Sequence, residues 1–279
     1  RFGTNNKWGF FPSVGLAWRA SEEDFLKDSN WLTYLKFRAS FGVTGNQEIG
    51  NYKSLARLLA DNYIYNDIDL KGFYETIGND DLKWERANQF DIGVDFALFN
   101  RVNVTADWYY RVTSDLLYDV PIPSTSGFKS MLSNVGEIVN QGVELSLNAN
   151  LVRTTDWNVN LAVNFSWNDN RITKLYGDVE SITLSSGLGG SSYLKVGEPL
   201  NSRYHLVSDG IIKTEDQLSA YQKIQPTAKL GDEMYKDLDE DGSITVKDQV
   251  NVGTTDPKFI YGFALDASWK NLSLSVLGS

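Results

Sequence analysis

The sequence contains no cysteine and a single histidine, His205, among its 279 residues. Without cysteine the chain cannot form disulfides, thiolate-bound zinc sites, iron–sulfur clusters or a thiol nucleophile. One histidine also excludes multi-histidine metal centres and leaves little basis for a histidine-dependent catalytic triad. The chemistry open to the chain is therefore that of carboxylates, amides, hydroxyls and aromatic rings.

Positive charge and long apolar runs are also scarce. Lys and Arg number 26 against 36 Asp and Glu, and the net charge of −10 argues against binding of nucleic-acid phosphates. No apolar run approaches the roughly 18 residues that a membrane-spanning helix requires. Hydrophobic residues still make up 42 % of the chain, so its composition is not that of a disordered protein. A helical membrane protein is excluded, whereas one that crosses a bilayer with strands is not.

Apolar and polar residues alternate along much of the chain, which is the pattern of strands with one apolar and one polar face. This pattern predicts about eight antiparallel strands, most of them roughly 9–13 residues long, which is long for a soluble protein and suits a tilted bilayer crossing. The alternating segments are residues 90–98, 101–113, 143–151, 157–167 and 259–269, and more weakly 8–18, 35–43 and 272–276.

The connections between these segments alternate in length. Short turns at 99–101, 153–156 and 270–271 alternate with long loops, which we place at 44–82, 114–139 and 169–257. In an up-and-down sheet, all the short turns then lie at one end and all the long loops at the other, as in outer-membrane barrels. A soluble β-sandwich also alternates apolar and polar residues. The long strands, the loop asymmetry, the Trp and Tyr residues near strand ends and a polar face rich in Asn, Ser and Thr favour the barrel.

A set of short motifs runs in one order through nearly the whole chain and resembles the C-terminal barrel portion of SusC/RagA-type TonB-dependent outer-membrane transporters. The resemblance implies that residues 1–279 are the C-terminal part of one 22-stranded barrel, with the N-terminal plug domain absent from this chain. The motifs are Trp8–Ser13, Ala17–Glu23, Leu35–Ser40, Gly45–Gln47, Asp81–Glu85, Asn134–Gly136, Asn140–Glu144, Asp209–Ile211, Gly231–Asp232, Asp237–Asp248, Asp256–Lys258 and Tyr261–Phe263.

The same resemblance implies a function and a set of partners. The function would be TonB-dependent active import of a nutrient across the outer membrane of a Bacteroidetes-like bacterium, with the long loops extracellular. The partners would be a SusD-like surface lipoprotein that lids the barrel, the TonB complex acting through the missing plug region, and outer-membrane lipid. No nucleic-acid partner and no enzyme activity are expected, and we identify no catalytic residues.

The cargo is expected to be an oligosaccharide rather than a peptide, because aromatic rings in the long loops could stack on sugar faces. Packing of the loops against one another is the alternative explanation for each ring, so the residues that bind the substrate stay unassigned. The rings are those of Tyr63, Tyr65, Phe73, Tyr74, Tyr193 and Tyr204.

The segment 237–248 has the spacing of a calcium-binding loop, in which positions 1, 3, 5, 7, 9 and 12 supply oxygen ligands and a glycine at position 6 permits a sharp turn. Gly242 occupies position 6, and an Asp replaces the usual Glu at position 12, which shortens the last ligand and predicts weaker binding. A solvated acidic turn is the alternative. The predicted ligands of a structural calcium ion are Asp237, Asp239, Asp241, Ser243, Thr245 and Asp248.

Two further functions fit parts of the pattern. The first is a secreted soluble β-rich protein that binds or degrades glycans and uses the calcium loop as a structural element. The second is a passive porin or adhesin without an upstream plug. Dependence on detergent separates the soluble protein from the transporter, and the sequence that precedes Arg1 separates the porin from it.

Overall fold

A computed structural model describes residue 2 and residues 6–279 except 129 and 178, with the backbone alone at 58–63, 65, 69–76, 121 and 124. The chain forms two compact units, Arg1–Gly177 with Lys258–Ser279 and, separately, Asp178–Pro257. The strands are β1 (Ser13–Trp18), β2 (Leu32–Asn46), β3 (Arg57–Tyr65), β4 (Ile68–Thr76), β5 (Glu85–Leu98), β6 (Val102–Ser114), β7 (Leu117–Pro121), β8 (Ser130–Asn134), β9 (Glu137–Arg153), β10 (Trp157–Lys174), β11 (Ser181–Ser185), β12 (Ser191–Lys195), β13 (Ser202–Leu206), β14 (Ser208–Ile211), β15 (Glu233–Tyr235), β16 (Gln249–Thr254), β17 (Phe259–Trp269) and β18 (Leu272–Gly278).

The first unit is built on one eight-stranded antiparallel sheet in the order β1-β2-β5-β6-β9-β10-β17-β18. Each strand of the sheet pairs with the next one of the sheet along the chain, so the topology is an up-and-down meander, as the alternation predicted. Hairpins β3–β4 and β7–β8 project from two of the long connections. The sheet does not close on itself within this chain, and β1 and β18 form its edges.

The strand register keeps polar residues on one face and apolar residues on the other. Arg38, Gly93, Asp107, Glu144 and Ser166 are successive partners across β2, β5, β6, β9 and β10. The neighbouring row on the opposite face is apolar and consists of Phe37, Val94, Ala106, Leu145, Phe165 and Tyr261.

The apolar face is largely exposed, which reverses the usual arrangement of a soluble protein. Leu16 is 75 % exposed, Phe259 59 % and Leu274 61 %. At the short-turn end the rings of Trp157 and Trp269 stack with centroids 5.8 Å apart, and Lys270 Nζ lies 5.3 Å from the Trp269 ring centroid. Apolar side chains bordered by Trp and Lys are typical of a surface that contacts a bilayer.

The sheet strands differ from the sequence prediction mainly at their long-loop ends. β9 begins at Glu137 rather than at residue 143, and β10 continues to Lys174 rather than ending at residue 167. The edge strand β1 is instead shorter than predicted. It begins at Ser13, so the prediction of a strand from residue 8 was wrong. Residues 8–12 precede the ladder because Pro12 has no N–H to contribute, although its carbonyl accepts from the Val43 N–H at 2.9 Å.

The second unit lies within the connection predicted at 169–257 and has its own secondary structure. Strands β11-β12-β13-β16 form one sheet, β14 and β15 form another, and α1 (Glu215–Tyr221) packs through Tyr221 against Ile212 and Ala228. The Thr214 side chain accepts from the Gln217 N–H and so caps α1. Among the described residues, no helix has the length and apolarity needed to cross a membrane.

Candidate functional sites on the sheet face and the acidic loop

Arg38 ties three strands together on the polar face of the sheet. From β2, its Nε and Nη2 donate to the Asp95 carboxylate of β5 at 2.8 and 3.0 Å. Nη2 also donates to both Asp107 oxygens of β6 at 2.9 and 3.2 Å. The guanidinium thus crosses β5 above Gly93, where a Cβ would collide with Arg38 and Asp107. Glycine at this position makes room for the ion-pair network.

A second cross-strand bridge uses the same arrangement. Tyr109 of β6 reaches over β9 at Gly142 and donates its hydroxyl hydrogen to Asn168 Oδ1 of β10 at 2.8 Å. A Cβ on Gly142 would lie 2.6 Å from the Tyr109 hydroxyl oxygen and would also collide with the backbone carbonyl of Trp167. The absence of a side chain at residue 142 therefore permits both the bridge and the close approach of β9 to β10.

The polar face also carries charges without an ion-pair partner among the described residues. Glu144 lies directly opposite Asp107, which shares the positive charge of Arg38 with Asp95, and Glu144 itself is exposed. Arg111 is exposed on the same face, opposite Asn140. Both residues line a concave pocket of about 590 Å³ on this face.

The acidic loop brings together some of the predicted calcium ligands. Carboxylate oxygens of Asp237, Asp239 and Asp248 lie within 4.8 Å of one another. Two oxygens on opposite sides of a calcium ion at about 2.4 Å are separated by about 4.8 Å, so the three groups fit one ion. Gly242 has a φ of 83°, which favours glycine, and its N–H donates to Asp237 Oδ2 at 2.8 Å.

The other three predicted ligands are Asp241, Ser243 and Thr245, and the side chains of Asp241 and Thr245 accept hydrogen bonds from the loop backbone. Asp241 is not among the three grouped carboxylates, and its Oδ1 accepts from the Ser243 N–H at 2.9 Å. The Thr245 hydroxyl oxygen accepts from the Lys247 N–H at 3.2 Å and caps the short 3-10 turn Val246–Asp248. The grouping therefore concerns the carboxylates of the loop, and the six-ligand site stays a prediction.

Asp248 has a structural role that the sequence prediction missed. Its side chain is fully buried, Oδ1 accepts from the N–H groups of Leu238 and Asp239 at 2.8 and 3.3 Å, and Oδ2 accepts from the Thr245 N–H at 2.7 Å. Burial alone would raise the pKa of this carboxyl, but the backbone hydrogen bonds outweigh burial and lower it. Asp248 therefore holds the two ends of the loop together as a carboxylate.

Of the six aromatic residues considered for sugar stacking, the structure describes the side chains of Tyr193 and Tyr204. Tyr193 and Tyr204 pack edge to face with centroids 4.9 Å apart, and the Tyr204 hydroxyl donates to Glu198 Oε1 at 2.5 Å. Burial and the neighbouring Glu198 carboxylate raise the pKa of Tyr204. The side chains of Tyr63, Tyr65, Phe73 and Tyr74 lie outside the described residues.

A meander of long strands with an exposed apolar face and a polar, ion-paired face defines the wall of a transmembrane β-barrel. The family model "TonB dependent receptor-like, beta-barrel" matches residues 1–276. The chain belongs to this family, and membership implies the outer membrane. The soluble β-sandwich is therefore wrong for this chain.

Known relatives are consistent with this assignment. The chain is 36 % identical to TonB-dependent receptor P3 of Formosa agariphila over 99 % of its own length, and 39 % identical to TonB-dependent receptor SusC of Bacteroides thetaiotaomicron over 65 %. It spans 28 % of the first relative and 19 % of the second. Among solved structures, the RagAB peptide importer in its open-open state superposes with a TM-score of 0.79 at 34 % identity, over 99 % of this chain and 29 % of that one.

Proposed function

We propose that the chain is the C-terminal part of the barrel of a TonB-dependent transporter that imports a nutrient across the outer membrane. This proposal rests on the difference in polarity between the two faces of one sheet. The apolar face suits lipid, and the face with Arg38, Asp107 and Glu144 suits a water-filled lumen. The long-loop end of the sheet is then extracellular.

Two partners follow from this assignment. A SusD-like lipoprotein would lid the long-loop end, and the TonB complex would act through a plug region outside this chain. Relatives named TonB-dependent receptors, together with the similarity to RagAB and SusC, support both partners. The polar face would then line the route along which the cargo passes.

Energised uptake tests this function directly. We expect deletion of the full-length gene to abolish growth on the imported nutrient, and complementation to restore growth only when the TonB-contacting segment is intact. Growth on panels of single peptides and single oligosaccharides measures the effect, and wild-type and TonB-deficient strains serve as controls. Uptake that persists without TonB would instead identify a passive porin.

We also propose that the acidic loop holds a structural calcium ion through Asp237, Asp239 and Asp248. The grouping of their carboxylate oxygens within 4.8 Å supports this proposal. Bound at this loop, calcium would supply positive charge to three neighbouring carboxylates. The Asp237 carboxylate would still accept from the Gly242 N–H, because each carboxylate oxygen has two lone pairs.

Removal of the metal is expected to loosen this loop. In the Asp237→Asn/Asp239→Asn variant the amide oxygens can still accept hydrogen bonds, but two charges are lost, so the heat of calcium binding should disappear. Calorimetric titration of the EDTA-treated protein, with proteolysis of the loop as a second readout, measures this change. The exposed Asp216 supplies the control substitution Asp216→Asn, which should leave binding unchanged. Wild-type protein that shows no response to calcium would refute the site.

A further inference from the structure

The apolar face of the sheet is bordered by tryptophan at both ends. On β10, Trp157 lies at the short-turn end, and Trp167 lies ten residues further towards the long loops. At a rise of about 3.3 Å per residue and a strand tilt of about 40°, the two positions are roughly 25 Å apart along the membrane normal. This separation equals the height of the apolar band of an outer-membrane barrel, so the row of residues that contains Trp167 marks the edge of the hydrocarbon layer. Across five strands, this tryptophan row consists of Ile92, Trp108, Val143, Trp167 and Phe259.

Two basic residues of β10 follow on the same face, beyond the tryptophan row. Arg171 lies four residues after Trp167, so the two side chains share a face, and Arg171 is about 10 Å further along the membrane normal. The headgroup layer extends about 5–8 Å beyond the hydrocarbon, and a long arginine side chain can reach back into it. Lys174 follows after a bulge. Because Arg171 pairs with Val139 and Lys174 with Glu137, the two basic residues are about 7 Å apart along the strand.

Two carboxylates lie beside these basic residues. Arg171 Nη2 is 3.7 Å from Asp169 Oδ2, which is longer than the 2.7–2.9 Å of a charge-assisted hydrogen bond. The Arg171 side chain is 58 % exposed, and a guanidinium has five N–H donors. Glu137 Oε1 accepts from the Thr173 hydroxyl at 2.8 Å, and Lys174 is exposed. Arg171 and Lys174 therefore keep donors that can bind a further anion.

We propose that Arg171 and Lys174 bind the phosphate group of a lipid in the outer leaflet, whose acyl chains lie on the apolar face beside the tryptophan row. The proposal rests on the proposed orientation, in which the long-loop end of the sheet is extracellular. A guanidinium donates to a phosphate in pairs of parallel hydrogen bonds, and an ammonium adds a compact positive charge. A soluble anion would use the two side chains alone, whereas a lipid also contacts the apolar band that adjoins them.

Native mass spectrometry of the purified full-length protein in a non-ionic detergent tests this site. The probes are phosphatidic acid, diacylglycerol with the same acyl chains, and inorganic phosphate. Loss of charge-assisted hydrogen bonds in Arg171→Gln should weaken the tightest binding of phosphatidic acid roughly tenfold. The double variant Arg171→Gln/Lys174→Gln should bind it more weakly still. Diacylglycerol has no phosphate, so its affinity should be the same for all of these proteins.

Arg111→Gln is the matched control. Arg111 is also exposed at the long-loop end, but it lies on the polar face of the sheet, so this variant should bind phosphatidic acid as the wild type does. An equal loss of affinity in Arg111→Gln and Arg171→Gln would overturn the proposal. Displacement of phosphatidic acid by an equal concentration of inorganic phosphate would identify a site for soluble anions instead and refute the lipid assignment.

The comparison of the two lipids also tests the wild-type protein, so the result does not depend on how well a variant folds. Wild-type protein that binds phosphatidic acid no more tightly than diacylglycerol would refute the site. If TonB-dependent uptake persists in that case, the importer function stands and the lipid site alone is wrong.

Discussion

Replacing Gly142 with alanine is expected to lower the free energy of unfolding of the full-length protein by about 3 kcal/mol, since overpacking costs about 1–3 kcal/mol and a hydrogen bond about 1. The new Cβ would collide with the Trp167 carbonyl, which belongs to the backbone and cannot move without disturbing the β9–β10 pairing. It would also displace Tyr109 from Asn168. The change is measured by urea unfolding in detergent, with heat-modifiable gel mobility as the readout of the folded fraction.

Gly42 supplies the control for this substitution. A Cβ at residue 42 would make an ordinary contact of 3.7 Å with the Ser13 Cβ, so Gly42→Ala should have little effect. In the double variant Gly142→Ala/Tyr109→Ser, the free energy of unfolding should recover only by the part of the loss that the displaced Tyr109 ring causes. Equal unfolding midpoints for Gly142→Ala and Gly42→Ala would contradict the interpretation.

Replacing Asp248 with alanine is expected to cost about 2–3 kcal/mol, because it leaves three backbone N–H groups without their acceptor. The loop ends at Leu238 and Thr245 would separate, and the segment around them should become sensitive to protease. Asp209→Ala is the control. The Asp209 side chain is 59 % exposed, and its ion pair with Lys236 Nζ is long, at 3.8 Å, so its loss should change stability little. The measurement is made in EDTA, so that a lost metal ion cannot account for the difference.

The Asp248 carboxylate also predicts that the stability of the loop depends on pH. The folded pKa of Asp248 is lowered from 3.8, so its contribution to stability is complete above the unfolded pKa and is lost as the pH falls through the folded pKa. Protease resistance of the loop should therefore fall below about pH 4 in the wild type. The Asp248→Ala variant should lack this component, and equal acid sensitivity of the two proteins would contradict the role assigned to Asp248.

Alternation located the strands of the sheet but did not locate their ends. It gave Phe259–Trp269 with its observed bounds, because an apolar side chain recurs at every second position from Phe259 to Trp269. At the long-loop end the signal fades, since a strand that has left the lipid is wet on both faces while its backbone pairing continues. Asn140 and Gln141 of β9 are both polar for this reason, yet they lie within the strand.

The sites were predictable only where the ligands are close in sequence. The spacing within 237–248 indicated the carboxylate group, but not that the Asp248 oxygens would accept from the backbone at Leu238. The structural roles of Gly93 and Gly142 could not be predicted, because they depend on side chains from neighbouring strands. The pairing of Arg38 with Asp107 likewise depends on a register that no local pattern contains.

The meeting of β10 and β17 makes the segment between them exchangeable. Trp167 pairs with Phe259, and the Asn168 N–H donates to the Lys258 carbonyl at 2.9 Å. Pairing within the sheet therefore holds together the two points between which residues 178–257 are inserted. When the ends of a flexible loop are held in this way, each doubling of its length adds a closure cost of only about 0.6 kcal/mol. The pairing of the sheet should therefore tolerate changes in the length of this segment, because the sheet itself fixes the two ends.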